Sequence, residues 1–284
     1  MEPVAVVGLG AMGSRIALRL LDAGHDLVVW NRSPRKLEPL LERGATAAAS
    51  PRAAARRSRT LITMLADPQA LRSVSDGPDG IAAGAHPDLV VVEMSTVGPT
   101  AVAELAALLE PSARVVDAPV LGSIGEAAAG TLTIFAGGSG DLVDEVRPLL
   151  ATLGTVVHVG PRGTGAAAKL VANAALFGTI AVLGETLSLA AALGLSREAT
   201  ADVLETTPLA EQTRRRLPVI DAGVYPRRFA LSLARKDAEL ILASATSVVR
   251  LRALEAVREW LGAAERQGRG DSDYTAMLAT ILAG

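Results

Sequence analysis

Short β-branched runs alternate with alanine-rich amphipathic segments over the first 160 residues of the chain. The runs VAVVG (4–8), DLVVW (26–30), TLITM (60–64), LVVVEM (89–94), ARVVDA (113–118), TLTIFAG (131–137) and VVHVG (156–160) have the length and composition of strands. Strands and helices in this alternation build a doubly wound parallel sheet with helices on both faces. The last two runs have no crossover of the same regularity between them and are candidates for antiparallel additions.

Past GPRGTG the pattern changes. One long helical segment is expected from Ala166 to about Gly194, with further helices and no convincing strand to the end. The predicted architecture is therefore α/β, a Rossmann-type sheet domain over residues 1–161, and an all-helical domain over 162–284 that begins with a long interdomain helix. The most apolar stretch, Leu170 to Gly184, lies between Lys169 and Glu185 and includes Asn173. That run is short of the roughly 20 residues that span a bilayer, so no membrane partner is expected.

Composition removes several function classes. There is no cysteine, and His25, His86 and His158 are far apart in sequence, so a zinc site is not expected. Formal net charge is −2 and only 2% of residues are aromatic, which argues against nucleic acid as a partner. MEPVAVVGLG is acidic and enters a strand at once, unlike a signal peptide, so the expected compartment is the cytoplasm.

The first 33 residues contain a strand, a G-x-G-x-x-G turn (Gly8, Gly10, Gly13, with Leu9, Ala11 and Met12 between), an amphipathic helix and a second strand. In that context the glycines allow the tight turn, the approach of backbone to a pyrophosphate, and close helix packing. Where an acidic residue would receive the adenosine ribose, the chain has Asn31, Arg32 and Ser33, with Lys36 one turn on. A guanidinium and neutral donors suit a 2′-phosphate, so NADP(H) is the expected cofactor. MLADPQAL brings Met64 and Leu65, EMSTVGPT brings Ser95 and Thr96, and DAPVLGSIGEAAAGTLTIFAGG brings Leu121, Gly122 and Ser123 to the sheet edge where ligands bind. Met64, Leu65 and Thr96 are candidates for the cofactor, the others for substrate.

Only three of 28 basic residues are lysine, at 36, 169 and 236. Lys169 sits in the apolar run GTGAAAKLVANAALFG, four residues from Asn173 and on the same helix face. An amide there can hold the amine in place, and an apolar setting favours its uncharged form. A lysine snorkelling from a domain junction has the same local pattern.

Jointly, GLGAMG, NRS, MSTVGP, DAPVLGS, GTLTIFAGG, GTGAAAKLVAN, FALSLARKDAEL and GRGDSDYTA give a chain that resembles, nearly end to end, the β-hydroxyacid dehydrogenase family, relatives of 3-hydroxyisobutyrate dehydrogenase and of glyoxylate and succinic semialdehyde reductases. The resemblance implies that Lys169 is the catalytic lysine, Asn173 the conserved helix asparagine and Phe229 an aromatic wall near the substrate, with Asp237 beside it. It also implies that Lys236 lies by the cofactor and Lys36 near the adenosine phosphate. Two positions depart from the family pattern. Leu121, Gly122 and Ser123 stand where serine followed by glycines grips the substrate carboxylate, and Ala172 replaces an asparagine. The expected activity is NADPH-dependent, reversible reduction of a small aldehyde or keto acid to a hydroxy acid by a homodimer or a dimer of dimers. An imine reductase is the alternative enzyme, disfavoured by Lys169 and slightly favoured by Leu121. A cofactor-sensing module without turnover is the alternative from another class, disfavoured by the set Lys169, Asn173 and Asp237.

Overall fold

Nine strands form one sheet in the computed structural model, which describes residues 3–245 and 249–283. They are β1 (Val4–Val7), β2 (Leu27–Trp30), β3 (Thr46–Ala47), β4 (Thr60–Thr63), β5 (Val90–Glu93), β6 (Arg114–Asp117), β7 (Val120–Leu121), β8 (Leu132–Gly137) and β9 (Gly154–Gly160). The order is β3-β2-β1-β4-β5-β6-β8-β7, with β9 also paired to β8. Pairs from β3 through β6 are all parallel. Chain order reverses at β1, between β2 and β4, and open sheets of this kind bind ligands at such a switch point.

The central strands read as continuous apolar runs because both faces are covered. On β1, Val4 and Val6 enter one core with Ile16, Val29, Ile62 and Val92, whereas Ala5 and Val7 enter the other with Val28, Leu61 and Val91. Period-two alternation thus divides one apolar run between two helix layers.

β8 runs antiparallel to β6 and β7, as its weaker connection led one to expect. β9, however, is parallel to β8, reached by a full crossover helix, Gly140–Ala151. β3 and β7, two residues each, carry no sequence pattern long enough to announce them.

The chain divides into two compact units, Met1–Leu170 and Val171–Gly284. One helix, Thr164–Ala192, continues from the first into the second. It is longer than the apolar run within it and, among the described residues, is the one helix long and apolar enough to cross a bilayer by length and composition. Phe177, Ile180, Leu183 and Leu187 on it are buried, the pattern of a core helix. The second unit adds Arg197–Glu205, Ala210–Ala222, Leu231–Ala245, Arg252–Ala264 and Met277–Leu282.

Candidate active site

The glycine turn after β1 is shaped by close backbone approach. Gly8 has φ +100°, and a Cβ there would lie 2.4 Å from the Met64 carbonyl oxygen and 2.8 Å from Leu65 Cδ2. A Cβ on Gly13 would lie 1.9 Å from the Gly8 carbonyl oxygen, so helix Ala11–Asp22 packs against the turn only because position 13 is glycine. Gly10 differs, since a Cβ there meets nothing within 4 Å. It caps the helix without a side-chain hydrogen bond, and the first turn holds no acidic residue. Open space before uncapped N–H groups is a cradle that fits a pyrophosphate.

At the end of β2 the Asn31 amide is used within the protein. Its Oδ1 accepts from the Leu9 N–H at 2.9 Å and its Nδ2 donates to the Ser33 carbonyl at 3.1 Å, which ties the glycine turn to the next strand. Arg32, Ser33 and Lys36 are exposed, as is Arg35, a further cation that sequence reading passed over. Among the described residues no ion pair engages Arg32, Arg35 or Lys36.

A buried polar network underlies the neighbouring loops. Thr63, Glu93 and Asp117 end three adjacent strands in register and are at most 1% exposed. Thr63 Oγ1 donates to Glu93 Oε2, and the Ser95 N–H donates to Glu93 Oε1 at 2.6 Å. The Ser95 hydroxyl also bonds Glu93 and accepts from the Leu65 N–H at 2.8 Å. Burial, aided by the nearby charge of Asp117, pushes the Glu93 carboxyl up to about 7 against these hydrogen bonds. Asp117 accepts from the Gly163 and Ala166 N–H groups at 2.7 Å each and so anchors the start of the long helix. Burial raises its carboxyl as well, and the backbone donors oppose the rise. Neither acid was singled out from the sequence; the available signal was an acid closing an otherwise apolar strand, VVVE and RVVD.

The loop after β7 is closed on itself. Ser123 caps helix Ile124–Ala129 in a reciprocal capping box, its N–H given to Glu126 Oε2 at 2.9 Å, while Leu121 is 37% exposed. The box is legible as S-x-x-E in SIGE.

Lys169 is buried near the start of the long helix. One helical turn on, Asn173 Nδ2 donates to Asp237 Oδ2 at 2.8 Å, and Lys236 Nζ lies 2.6 Å from Asp237 Oδ1. Asn173 Oδ1 is buried without a donor. Phe177, one further turn along, stacks with Phe229 at 6.2 Å, and Tyr274 closes the aromatic cluster at 5.7 Å from each ring. Asp273 accepts from the Phe229 N–H at 3.0 Å and the Arg228 N–H at 3.1 Å, which pins the phenylalanine loop to the GRGDSDYTA segment. The second unit thereby groups Asn173, Phe229, Lys236 and Asp237. The first unit groups the glycine turn, Met64, Leu65, Ser95 and Thr96 at one sheet edge.

A family model described as the NAD binding domain of 6-phosphogluconate dehydrogenase matches residues 3–160. A second, described as NAD-binding of NADP-dependent 3-hydroxyisobutyrate dehydrogenase, matches residues 163–281. The chain is 31% identical to 3-sulfolactaldehyde reductase of Escherichia coli (strain K12), over 99% of this chain and 96% of that protein. It is also 31% identical to glyoxylate/succinic semialdehyde reductase 1 of Arabidopsis thaliana, over 98% of each. Among solved structures, Mycobacterium tuberculosis 3-hydroxyisobutyrate dehydrogenase with L-serine superposes with a TM-score of 0.89 at 26% identity, covering 99% of both chains.

Proposed function

Because the chain belongs to the β-hydroxyacid dehydrogenase family, we propose that it is an NADPH-preferring reductase, reversible, of a small aldehyde or keto acid. Oxidoreduction with a nicotinamide cofactor follows from membership, and the relatives act on small carbonyl and hydroxy acid compounds. The observation that carries the finer reading is the buried Lys169 with, one turn on, an asparagine whose Nδ2 is held by Asp237 and whose Oδ1 is unspent. When bound, the cofactor supplies hydride to the carbonyl carbon. Lys169 Nζ holds the proton that the carbonyl oxygen takes up, and Asn173 orients the reacting group. Phe229 covers the substrate and excludes water. The exposed cations at the end of β2, with no carboxylate among them, support the 2′-phosphate preference.

Leu121 and the closed capping box of Ser123 favour a second reading, a substrate without a carboxylate, including a cyclic imine. A panel of aldehydes, keto acids and cyclic imines, followed by oxidation of NADPH and NADH, tests both: turnover of semialdehydes supports the first, and turnover of imines alone supports the second.

The assembly proposed is a homodimer or a dimer of dimers. Val171, Val182 and Leu189 recur at helical spacing along Thr164–Ala192, Leu193 follows in the turn just past its end, and each is at least half exposed, an apolar stripe suited to a second copy.

A further inference from the structure

The buried acid at the end of β5 does no chemistry in the proposed reaction, yet it lies beneath the loops next to the glycine turn. We infer that Glu93 is a positioning residue for the dinucleotide: through Ser95 it fixes the Leu65 amide, and with it the wall of the cradle at Gly8.

Glu93 Oε1 holds the Ser95 N–H, and a further bond holds the Ser95 hydroxyl. That hydroxyl oxygen in turn holds the Leu65 N–H. Leu65 and Met64 touch Gly8, where not even a methyl group fits between them and the turn. A shift at Leu65 therefore reaches the first glycine of the cradle directly. The contact sits between β1 and β4, the switch point of the sheet.

The choice of an acid at this position follows from the donors around it. Thr63 on β4 offers a hydroxyl, Ser95 offers an N–H and a hydroxyl, and the neighbour on β6, Asp117, is itself an acid occupied by the Gly163 and Ala166 amides. An apolar side chain at 93 takes the acceptor away from the Ser95 N–H and hydroxyl in the interior and leaves Thr63 Oγ1 only the Val92 carbonyl at 3.5 Å, and an aspartate is one methylene too short to reach both Thr63 and Ser95. Glutamine has the same shape and keeps one acceptor for the Ser95 N–H, while its amide can donate to the Thr63 oxygen.

Dissociation constants for NADPH and NADH, read from cofactor fluorescence, test the assignment together with hydrogen exchange at the Leu65 amide. Glu93→Ala should weaken both dinucleotides by about tenfold or more, as expected for a lost buried hydrogen bond, and speed exchange at Leu65. Glu93→Gln should restore affinity to within about threefold, a readout that bulk destabilisation does not reproduce. Ser95→Ala cuts the link while leaving the acid in place, so Glu93→Ala added to it should cost affinity little more, which keeps the test informative where Glu93→Ala folds poorly. Unchanged affinity in Glu93→Ala and Ser95→Ala, or effects of the two that simply add, would overturn the assignment.

Discussion

Asn173 donates its Nδ2 to Asp237 Oδ2 at 2.8 Å, so one buried carboxylate decides which way the buried amide faces. With Nδ2 committed, Oδ1 is the atom left for chemistry. Asp237→Ala removes the acceptor, frees the amide to rotate and breaks the contact with Lys236 Nζ. The expected stability loss is about 1–3 kcal/mol, or several degrees in Tm for a chain of this size, with kcat down by tenfold or more. Asp237→Asn still offers an acceptor oxygen and should recover most of the Tm. Thermal melts and steady-state rates on the same preparations check this, and wild-type kcat in Asp237→Ala would refute it.

Cofactor choice follows from the end of β2. NADPH should be preferred over NADH by at least about tenfold in kcat/KM, a modest demand when one charge-assisted contact contributes ~1.5–3 kcal/mol. Arg32→Ala should erode the preference, with Arg35 and Lys36 supplying the remainder. Equal use of both cofactors by the wild-type protein would remove the basis for the assignment.

Stability should depend on pH through Glu93, whose carboxyl rises from the ordinary 4.5 to about 7 on burial. The folded protein holds this proton more tightly than the unfolded chain does. The associated stability is therefore fully present below about pH 4.5 and lost as pH climbs to about 7. At about 1.4 kcal/mol per unit, the loss is roughly 3 kcal/mol. Asp117 shifts in the same direction, whereas Glu145, held down by Arg114, acts oppositely. Glu93→Gln isolates the contribution: the wild-type minus variant difference in unfolding free energy, measured by denaturant titration from pH 5 to 8, should decline with pH. A flat difference would show that the acid titrates normally.

Much of this was legible in the chain, for identifiable reasons. β1, β2, β4, β5 and β6 announce themselves because each is a β-branched run buried on both faces, and the glycine turn because only glycine fits at positions 8 and 13. The parallel arrival of β9 was missed because its crossover helix Gly140–Ala151 contains Pro148 and several charges, which weaken the periodic signal. Glu93 and Asp117 were passed over because an acid at a strand end ordinarily faces water. Here the fold surrounds each with donors, a property of register between strands that local sequence does not carry. Ser123 is the converse case: its partner Glu126 was visible three residues away, but the loop was read for substrate.

Assembly can be tested on the exposed stripe. Leu189→Glu and Val182→Glu place charge on the apolar face without touching its buried side. Light scattering should move from dimer to monomer, and a wild-type protein already monomeric at micromolar concentration would count decisively against the interface.

Lys169 is the sharpest test of the reaction. Lys169→Arg keeps the charge but installs a guanidinium that does not give up its proton in the working range, on a longer planar fork. It also alters the fit at a buried position on the long helix. Rates on the best carbonyl substrate should fall ~10²- to 10⁴-fold, the usual contribution of acid and base catalysis. NADPH affinity should change little, because the glycine cradle and the cations after β2 are untouched. An iminium substrate arrives already protonated and needs no donor, so its reduction should be far less sensitive. Single-turnover rates for a semialdehyde and a cyclic imine, measured side by side, separate the two readings: a carbonyl rate retained within a few-fold in Lys169→Arg would remove the lysine from the mechanism and leave the imine reading standing.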